Sequence, residues 1–228
     1  MGKTGIADYP RKLVLVLCIC VVCFVLLPGI IYCSSYIPYI NEPGGTGSFV
    51  QSIADNQVYM LDYHSTLKES HPFESVWWTW PIMVRPIWYY SGADLPASLK
   101  ASVVSFGNPL IWWVGIPCLI AAFFIAFRKR DRKMSLVFAA FIFQYAPWIL
   151  IERATFIYHY FSSLPFIILS IVYVIQNMLV EKLIPKAVLW SYLGAVMLLF
   201  VIYYPILSGL PVSTEYANAL RLFSSWIW

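Results

Sequence analysis

The stretch PLIWWVGIPCLIAAFFIAF (residues 109–127), the turn RKRDRK (residues 128–133) and the stretch MSLVFAAFIFQYAPWILI (residues 134–151) decide the fold. Two apolar runs, each close to the roughly 20 residues that a helix needs to cross a bilayer, flank an unbroken block of charge. Gln144 is the one strongly polar side chain in the second run. A charge at the centre of a spanning helix costs roughly 2.5–3.5 kcal/mol on an insertion scale. The block therefore lies in water and the runs lie in lipid, which makes this segment a membrane hairpin.

Three more runs complete the pattern. Residues 13–32 carry no charge, residues 155–176 contain His159, and residues 187–207 form the last. Composition agrees. The chain is 61% hydrophobic and 11% charged, with mean hydropathy +0.73, whereas a soluble domain is about 25% charged. The fold class is an all-α polytopic membrane protein with five crossings. Arg11 and Lys12 precede the first run, as in a signal peptide. The run is too long for a signal core and lacks a small-residue cleavage site, so it reads as an uncleaved anchor.

Basic residues orient the chain. With the N-terminus in the cytoplasm, the inner segments carry Lys3, Arg11, Lys12, Arg128, Lys129, Arg130, Arg132, Lys133, Lys182 and Lys186. The outer segments carry only Lys68, Arg85, Lys100, Arg153 and Arg221. The C-terminus is then external, and in a bacterium the membrane is the plasma (inner) membrane. The net charge of +4 is small, with no basic stripe on a soluble domain, so nucleic acid is not an expected partner.

The longest segment between spans, residues 37–108, is expected to be an external loop. Asn41, Glu42, Pro43, Gly44 and Gly45 break the chain. Residues 48–68 read as an amphipathic helix, because Val50, Ile53, Met60, Leu61 and Leu67 recur at helical spacing between Asp55, Asn56 and Asp62. Then follow HPFESVWWTWP (residues 71–81) and RPIWYY (residues 85–90). Trp77, Trp78, Trp80, Trp88, Tyr89 and Tyr90 suit an interfacial belt. The belt leaves the interleaved prolines, histidines and arginine unexplained, and a surface on which sugar rings stack is the alternative reading.

Two external features add chemistry. Arg153 follows Glu152 in the tight turn between the third and fourth spans, and His159 enters the fourth span six residues on. Ionisable groups at membrane depth are costly and point to function. Arg153 is readable as a salt-bridge partner, as a headgroup contact or as a bidentate phosphate ligand. His64 and His71 lie seven residues apart beside Asp62, which matches no known metal-ligand spacing, so no metal is expected. Gly44, Gly45, Thr46 and Gly47 lack the Lys-Ser/Thr of a P-loop. Cys18, Cys20, Cys23, Cys33 and Cys118 lie in apolar stretches and read as small helix residues rather than a disulfide framework.

The loop and the turn together resemble one family. Tyr63-His64-Ser65, His71-Pro72-Phe73-Glu74-Ser75, Trp77-Trp78-Thr79-Trp80-Pro81 and Arg85-Pro86-Ile87-Trp88-Tyr89-Tyr90 resemble the last external loop of protein O-mannosyltransferases, which are dolichyl-phosphate-mannose–protein mannosyltransferases of the GT-C type. Arg153-Ala154-Thr155-Phe156-Ile157-Tyr158-His159-Tyr160-Phe161 resembles the family's R-x-x-F-x-Y-H-Y segment. The resemblance covers about residues 13–207. It implies a division into residues 1–36 (cytoplasmic segment and first span), 37–108 (external loop), 109–207 (C-terminal four-helix module) and 208–228 (external tail). The span count matches the last five of the family's eleven, and the short loop leaves no room for the β-trefoil MIR domain of eukaryotic members.

The resemblance also implies a reaction. Mannose passes from a polyprenyl-phosphate donor to a Ser or Thr hydroxyl of a secreted or membrane protein. The donor is a substrate, and no cofactor or metal is implied. Arg153, with His159 or His64, is then expected at the donor phosphate. His71, Trp77, Trp78, Trp80 and Arg85 are expected to line the sugar or acceptor cleft. No catalytic residue is expected on this chain, because the family's acidic pair lies in its first external loop. Asp55, Asp62, Glu69 and Glu74 do not match that motif. A truncated product, one piece of a split enzyme or a fragment are the expectations that follow, each inactive alone, with the N-terminal half or a second transferase subunit as partner. Three alternatives remain: a GT-C enzyme for another lipid-linked sugar, a non-catalytic scaffold, and a transporter. The transporter requires more ionisable residues deep in the spans than His159 alone.

Overall fold

The computed structural model describes residues 9–41, 48–67 and 70–228. Residues 42–45 of the break expected at 41–45, the end of the helix expected at Lys68, and Lys3 and Glu69 lie outside the described residues. Among those described, five helical stretches are long and apolar enough to cross a membrane: Tyr9–Ile40, Pro109–Lys129, Arg132–Leu150, Ile157–Val180 and Lys186–Ser208. The chain is thus an integral, multi-pass membrane protein. It groups into two units, residues 1–67 and 68–228, so the segment 37–108 divides between them at Leu67.

The first unit is a long helix followed by a shorter one. Helix α1 (Tyr9–Val21) passes through a π turn (Val22–Leu26) into α2 (Leu27–Ser34). Pro28 accounts for the π turn. It has no N–H, and its ring crowds the carbonyl four residues back, so the ladder shifts register. Helix α3 (Phe49–Thr66) follows, close to the expected bounds. Gln57 Nε2 donates to the Tyr32 hydroxyl, which ties α3 to α2.

The second unit holds four spans. Helix α4 (Pro109–Lys129) starts with Pro109 at its first position and Asn108 as its cap, whose side chain accepts from Leu110 N at 3.0 Å. Helix α5 (Arg132–Tyr145) is capped by Asp131, which accepts from Lys133 N at 2.9 Å and Met134 N at 3.2 Å. These caps satisfy orphan N–H groups at each start. Helix α6 (Leu164–Val180) and helix α7 (Lys186–Ser208) complete the set.

The α4–α6 pair is the centre of the unit. Gly115, Ala122 and Ala126 of α4 are buried, and so are Ile167, Ser170, Ile171 and Val174 of α6. Lipid supplies no hydrophobic drive between helices, so small residues that admit close approach and dense packing take that role. A Cβ on Gly115 would meet Ile167 Cγ2 at 2.2 Å. At one end Lys129 Nζ reaches Glu181 Oε1 at 2.8 Å and Asn177 Oδ1 at 2.6 Å, fastening α4 to α6 there.

Two short antiparallel ribbons sit at the polar ends, in a chain that is otherwise helical. Strand β1 (Ile87–Ser91) pairs with β3 (Ser102–Ser105), and β2 (Leu99–Lys100) with β4 (Val212–Ser213). The second ribbon brings the chain's last segment onto the loop. Within residues 208–228, read as a tail, Ala217, Trp226 and Trp228 belong to the core. A short helix α8 (Thr214–Ala219) follows β4. Trp226 and Trp228 are fully buried with Phe106 and Tyr203. Their indole N–H groups donate to Met83 O at 2.7 Å and Ala217 O at 2.6 Å.

Candidate functional site

Pro72, Pro81 and Pro86 make an α-helix impossible across the aromatic loop. The chain instead forms a single 3₁₀ helix, Trp77–Ile82, ended by Met83 in the left-handed region (φ 57°). Side chains from elsewhere hold its main chain. Tyr145 donates to Trp77 O at 2.7 Å, Trp113 Nε1 to Ile82 O at 3.1 Å, and Ser225 Oγ to Val84 O. Trp80 is the interior pin: it is fully buried, and its Nε1 donates to Ser75 O and Ser75 Oγ, both at 3.0 Å.

The second wall is the turn after the third span. Pro147 ends α5 in a 3₁₀ turn (Ala146–Leu150), the chain extends through residues 151–156, and a second 3₁₀ helix (Ile157–Ser163) leads into α6. Thr155 joins this turn to the loop by two bonds to Ser75. Ser75 N donates to Thr155 O, and Thr155 Oγ1 donates to Ser75 O, each at 2.8 Å.

Between the walls lies a cavity of about 420 Å³, within the range of about 300–1,000 Å³ usual for small-molecule sites. Glu74, Trp77, Arg85, Glu152, Arg153 and Ser225 contribute to its lining. Arg85 and Arg153, from parts of the sequence far apart, thus face one space. Arg85 is held by a bond from Nη1 to Pro72 O at 2.8 Å. A guanidinium has five N–H donors, so this bond fixes its plane and leaves other donors for a ligand. Arg153 is half-buried. Two guanidinium groups and the Trp77 indole suit an anionic group attached to a ring, with Glu74 and Glu152 as opposing charges in the same lining.

The expected residues divide. Arg153, Arg85 and Trp77 line the cavity. His159 does not: its ring stacks on Trp148 (centroids 4.1 Å apart, 29°), packs on Tyr158 and lies 5.8 Å from Trp80. It buttresses the wall from behind. Trp80 is core rather than lining, because its indole is enclosed and its N–H engaged. Trp78 is 59% exposed and outside the cavity. His71 shapes its own turn, with Nδ1 accepting from Phe73 N at 3.2 Å and its backbone N donating to Glu74 Oε2 at 3.1 Å. Its ring edge meets Phe156 at 5.2 Å. His64 belongs to the other unit, on α3, in edge contact with Tyr63. The sequence reading left out Glu74, Glu152 and Ser225 as lining residues. Glu74 was visible inside the HPFES motif, but Ser225 carried no signal.

The chain matches known proteins over most of its length. Residues 49–226 match the family described as the C-terminal four TMM region of protein-O-mannosyltransferase. A polyprenol-phosphate-mannose–protein mannosyltransferase of Mycobacterium tuberculosis is 25% identical over 236 residues, covering 88% of this chain and 45% of that protein. The protein of the same name from Corynebacterium glutamicum is 25% identical over 206 residues, covering 82% and 40%. Dolichyl-phosphate-mannose–protein mannosyltransferase 1 of Saccharomyces cerevisiae is 24% identical, covering 78% and 24%. The chain therefore spans less than half the length of these curated relatives. The solved structure of the S. cerevisiae protein O-mannosyltransferase Pmt1-Pmt2 complex bound to the sugar donor superposes with a TM-score of 0.65. It is 23% identical and covers 79% of this chain and 27% of the solved one, a likeness of fold.

Proposed function

The chain belongs to the protein O-mannosyltransferase family, and we propose that it takes part in moving mannose from a polyprenyl-phosphate donor to Ser or Thr hydroxyls of proteins. In this reading it supplies the donor side of the reaction. The observation that carries it is the shared cavity of Arg85 and Arg153 beside Trp77. It lies where the loop meets the ends of the spans, the depth at which a lipid-linked phosphate sits.

Transfer breaks the bond between the anomeric carbon and the donor phosphate and forms one to the acceptor oxygen. The departing lipid phosphate gains charge as the bond breaks. Fixed cations aimed at it lower that barrier without reorganising. Arg153 and Arg85 take this role, with Trp77 against the sugar's apolar face. His159 acts behind the wall by fixing Trp148 and Trp80. The acceptor hydroxyl must lose its proton to a carboxylate. In this proposal that carboxylate comes from the family's first external loop, which these 228 residues do not match, whether it is carried by the same polypeptide or by a partner subunit. The donor serves as substrate and no cofactor is required. The basic turn Arg128–Lys133 supports a cavity on the face away from the cytoplasm.

The test is mannosyl transfer to a Ser/Thr peptide by membranes from cells in which the chain is replaced by Arg153→Ala. The expected result is a fall in rate of about 100-fold, with protein abundance unchanged. An unaltered rate and donor KM would remove Arg153 from the phosphate site. Identification of the transferred sugar by mass spectrometry separates mannose from another lipid-linked sugar.

A further inference from the structure

The far end of the second unit carries a site of a different kind. Arg128, Lys129, Arg130, Arg132 and Lys133 crowd the turn between α4 and α5, with Arg130 in the left-handed region (φ 50°) closing α4. Two carboxylates lie nearby, and both are occupied. Asp131 caps α5, and its carboxyl is held below the usual range by the Met134 N–H and then the Lys133 N–H, against some desolvation. Glu181 is bound to Lys129. Among the described residues, Arg128, Arg130, Arg132 and Lys133 make no ion pair within 4 Å, although Arg128 lies in the field of Glu181 and Lys133 in that of Asp131.

Behind this charge is a cavity of about 540 Å³ between α5 and α6. Lys129, Asp131, Lys133, Tyr173, Gln176 and Asn177 form its polar part, and Val137, Leu169 and Val172 are among its apolar residues. It shares Val172 and Gln176 with a further cavity of about 380 Å³ lined almost wholly by aliphatic side chains of α4, α6 and α7. A second recess, of about 710 Å³, is lined by Arg128, Arg130, Arg132 and Ser135. Charge that only orients a helix hairpin needs its sign and nothing behind it. Here Lys129 and Lys133 edge a cleft that is aliphatic further in, the arginines of the same turn line the second recess, and five cations outnumber Asp131 and Glu181 at this end.

We propose that this cleft binds one anionic phospholipid of its own leaflet, with the phosphate held by Lys133 and the turn's arginines and an acyl chain lying along Val137, Leu169 and Val172. The occupant follows from complementarity. The rim is cationic and the depth aliphatic, and basic clefts between spans favour lipid headgroups of opposite charge. A soluble phosphate would leave the aliphatic depth unfilled. The site is separate from the Arg85–Arg153 cavity and does not rest on the proposed reaction.

The test uses the purified full chain in detergent, with bound lipid counted by native mass spectrometry. Dioleoyl phosphatidylglycerol, dioleoyl phosphatidylcholine and glycerol 3-phosphate are the probes. One phosphatidylglycerol per chain should be retained, with phosphatidylcholine retained far less. Arg132→Gln and Lys133→Gln should each weaken retention by about fivefold. Val137→Trp should block it while leaving every charge in place. Equal retention of the two lipids in the unaltered chain, retention unaffected by the charge variants, or competition by glycerol 3-phosphate at equal concentration would each overturn the proposal. The first and last of these comparisons need no variant, so the outcome does not depend on how Val137→Trp folds.

Discussion

Thr155 and Ser75, 80 positions apart, grip each other through two hydrogen bonds of 2.8 Å, one in each direction. The same Ser75 carbonyl accepts from Trp80 Nε1 at 3.0 Å, so both of its lone pairs are engaged. Thr155 is buried, although it and Ser75 both border the cavity. The clasp fixes the distance between the loop that carries Arg85 and the turn that carries Arg153.

Thr155→Val keeps the shape and removes the hydroxyl donor. The expected loss is about 1 kcal/mol of stability, read as a lower midpoint of thermal unfolding in detergent. If the clasp sets the cavity's width, donor KM rises as well. Thr155→Ser retains the donor and should restore most of both. An equal effect of Val and Ser would place the role in packing rather than in the hydrogen bond.

The α4–α6 contact makes a sharper demand. A side chain at Gly115 must displace Ile167, since even a Cβ would sit 2.2 Å from Ile167 Cγ2. Gly115→Ala should cost about 1–3 kcal/mol through overpacking. Ile167→Ala opens a cavity by itself, yet in the double variant it makes room for the new methyl group. The double variant should therefore be more stable than additivity of the two single changes predicts. Simple additivity would show that the helices move apart instead.

The last residues of the chain should behave as core. Trp226 is fully enclosed and donates to Met83 O at 2.7 Å, directly beside the loop that forms the cavity. Trp226→Ala should cost about 3–5 kcal/mol and expose the loop to limited proteolysis near residue 83. Trp226→Phe fills most of the space but leaves the carbonyl unpaired, and about 1–3 kcal/mol of loss is expected. Unchanged proteolysis in the alanine variant would mean that the loop holds itself together.

The spans were legible because each is a long charge-free run, and lipid enforces that signal on every residue in it. The helix Phe49–Thr66 was legible from apolar spacing. Arg85 and Arg153 could each be picked out by chemistry, as cations among aromatic or apolar neighbours. Their convergence on one cavity could not, since it depends on Thr155 and Ser75, two ordinary residues whose bonds cross 80 positions. Trp80 and Trp78 look alike in sequence, yet one is enclosed and the other is 59% exposed. Three residues per turn in the 3₁₀ helix place Trp77 and Trp80 on one side and Trp78 on another, a geometry that the prolines permit but do not announce. The final tryptophans gave no periodic pattern, and β4 carries only two residues, so the segment read as a tail.

Arg85 and Arg153 offer the most direct test of a shared ligand. If both guanidinium groups hold one phosphate, the loss of either leaves the anion weakly bound, and loss of the second removes less than it would alone. The binding of polyprenyl phosphate, the by-product of the proposed transfer, can be measured on the unaltered chain, Arg85→Gln, Arg153→Gln and the double variant. The expected coupling between the two sites is about 0.5–3 kcal/mol, the range for residues that share a partner. Lysine at either position should recover only part of the affinity, because a point charge cannot reproduce the planar two-pronged grip. Arg85 has a structural bond to Pro72 O as well, so its single variant should also lower the unfolding midpoint, which separates the two contributions. Strict additivity in binding would mean that the two arginines serve different parts of the donor, and the phosphate would then belong to Arg153 alone.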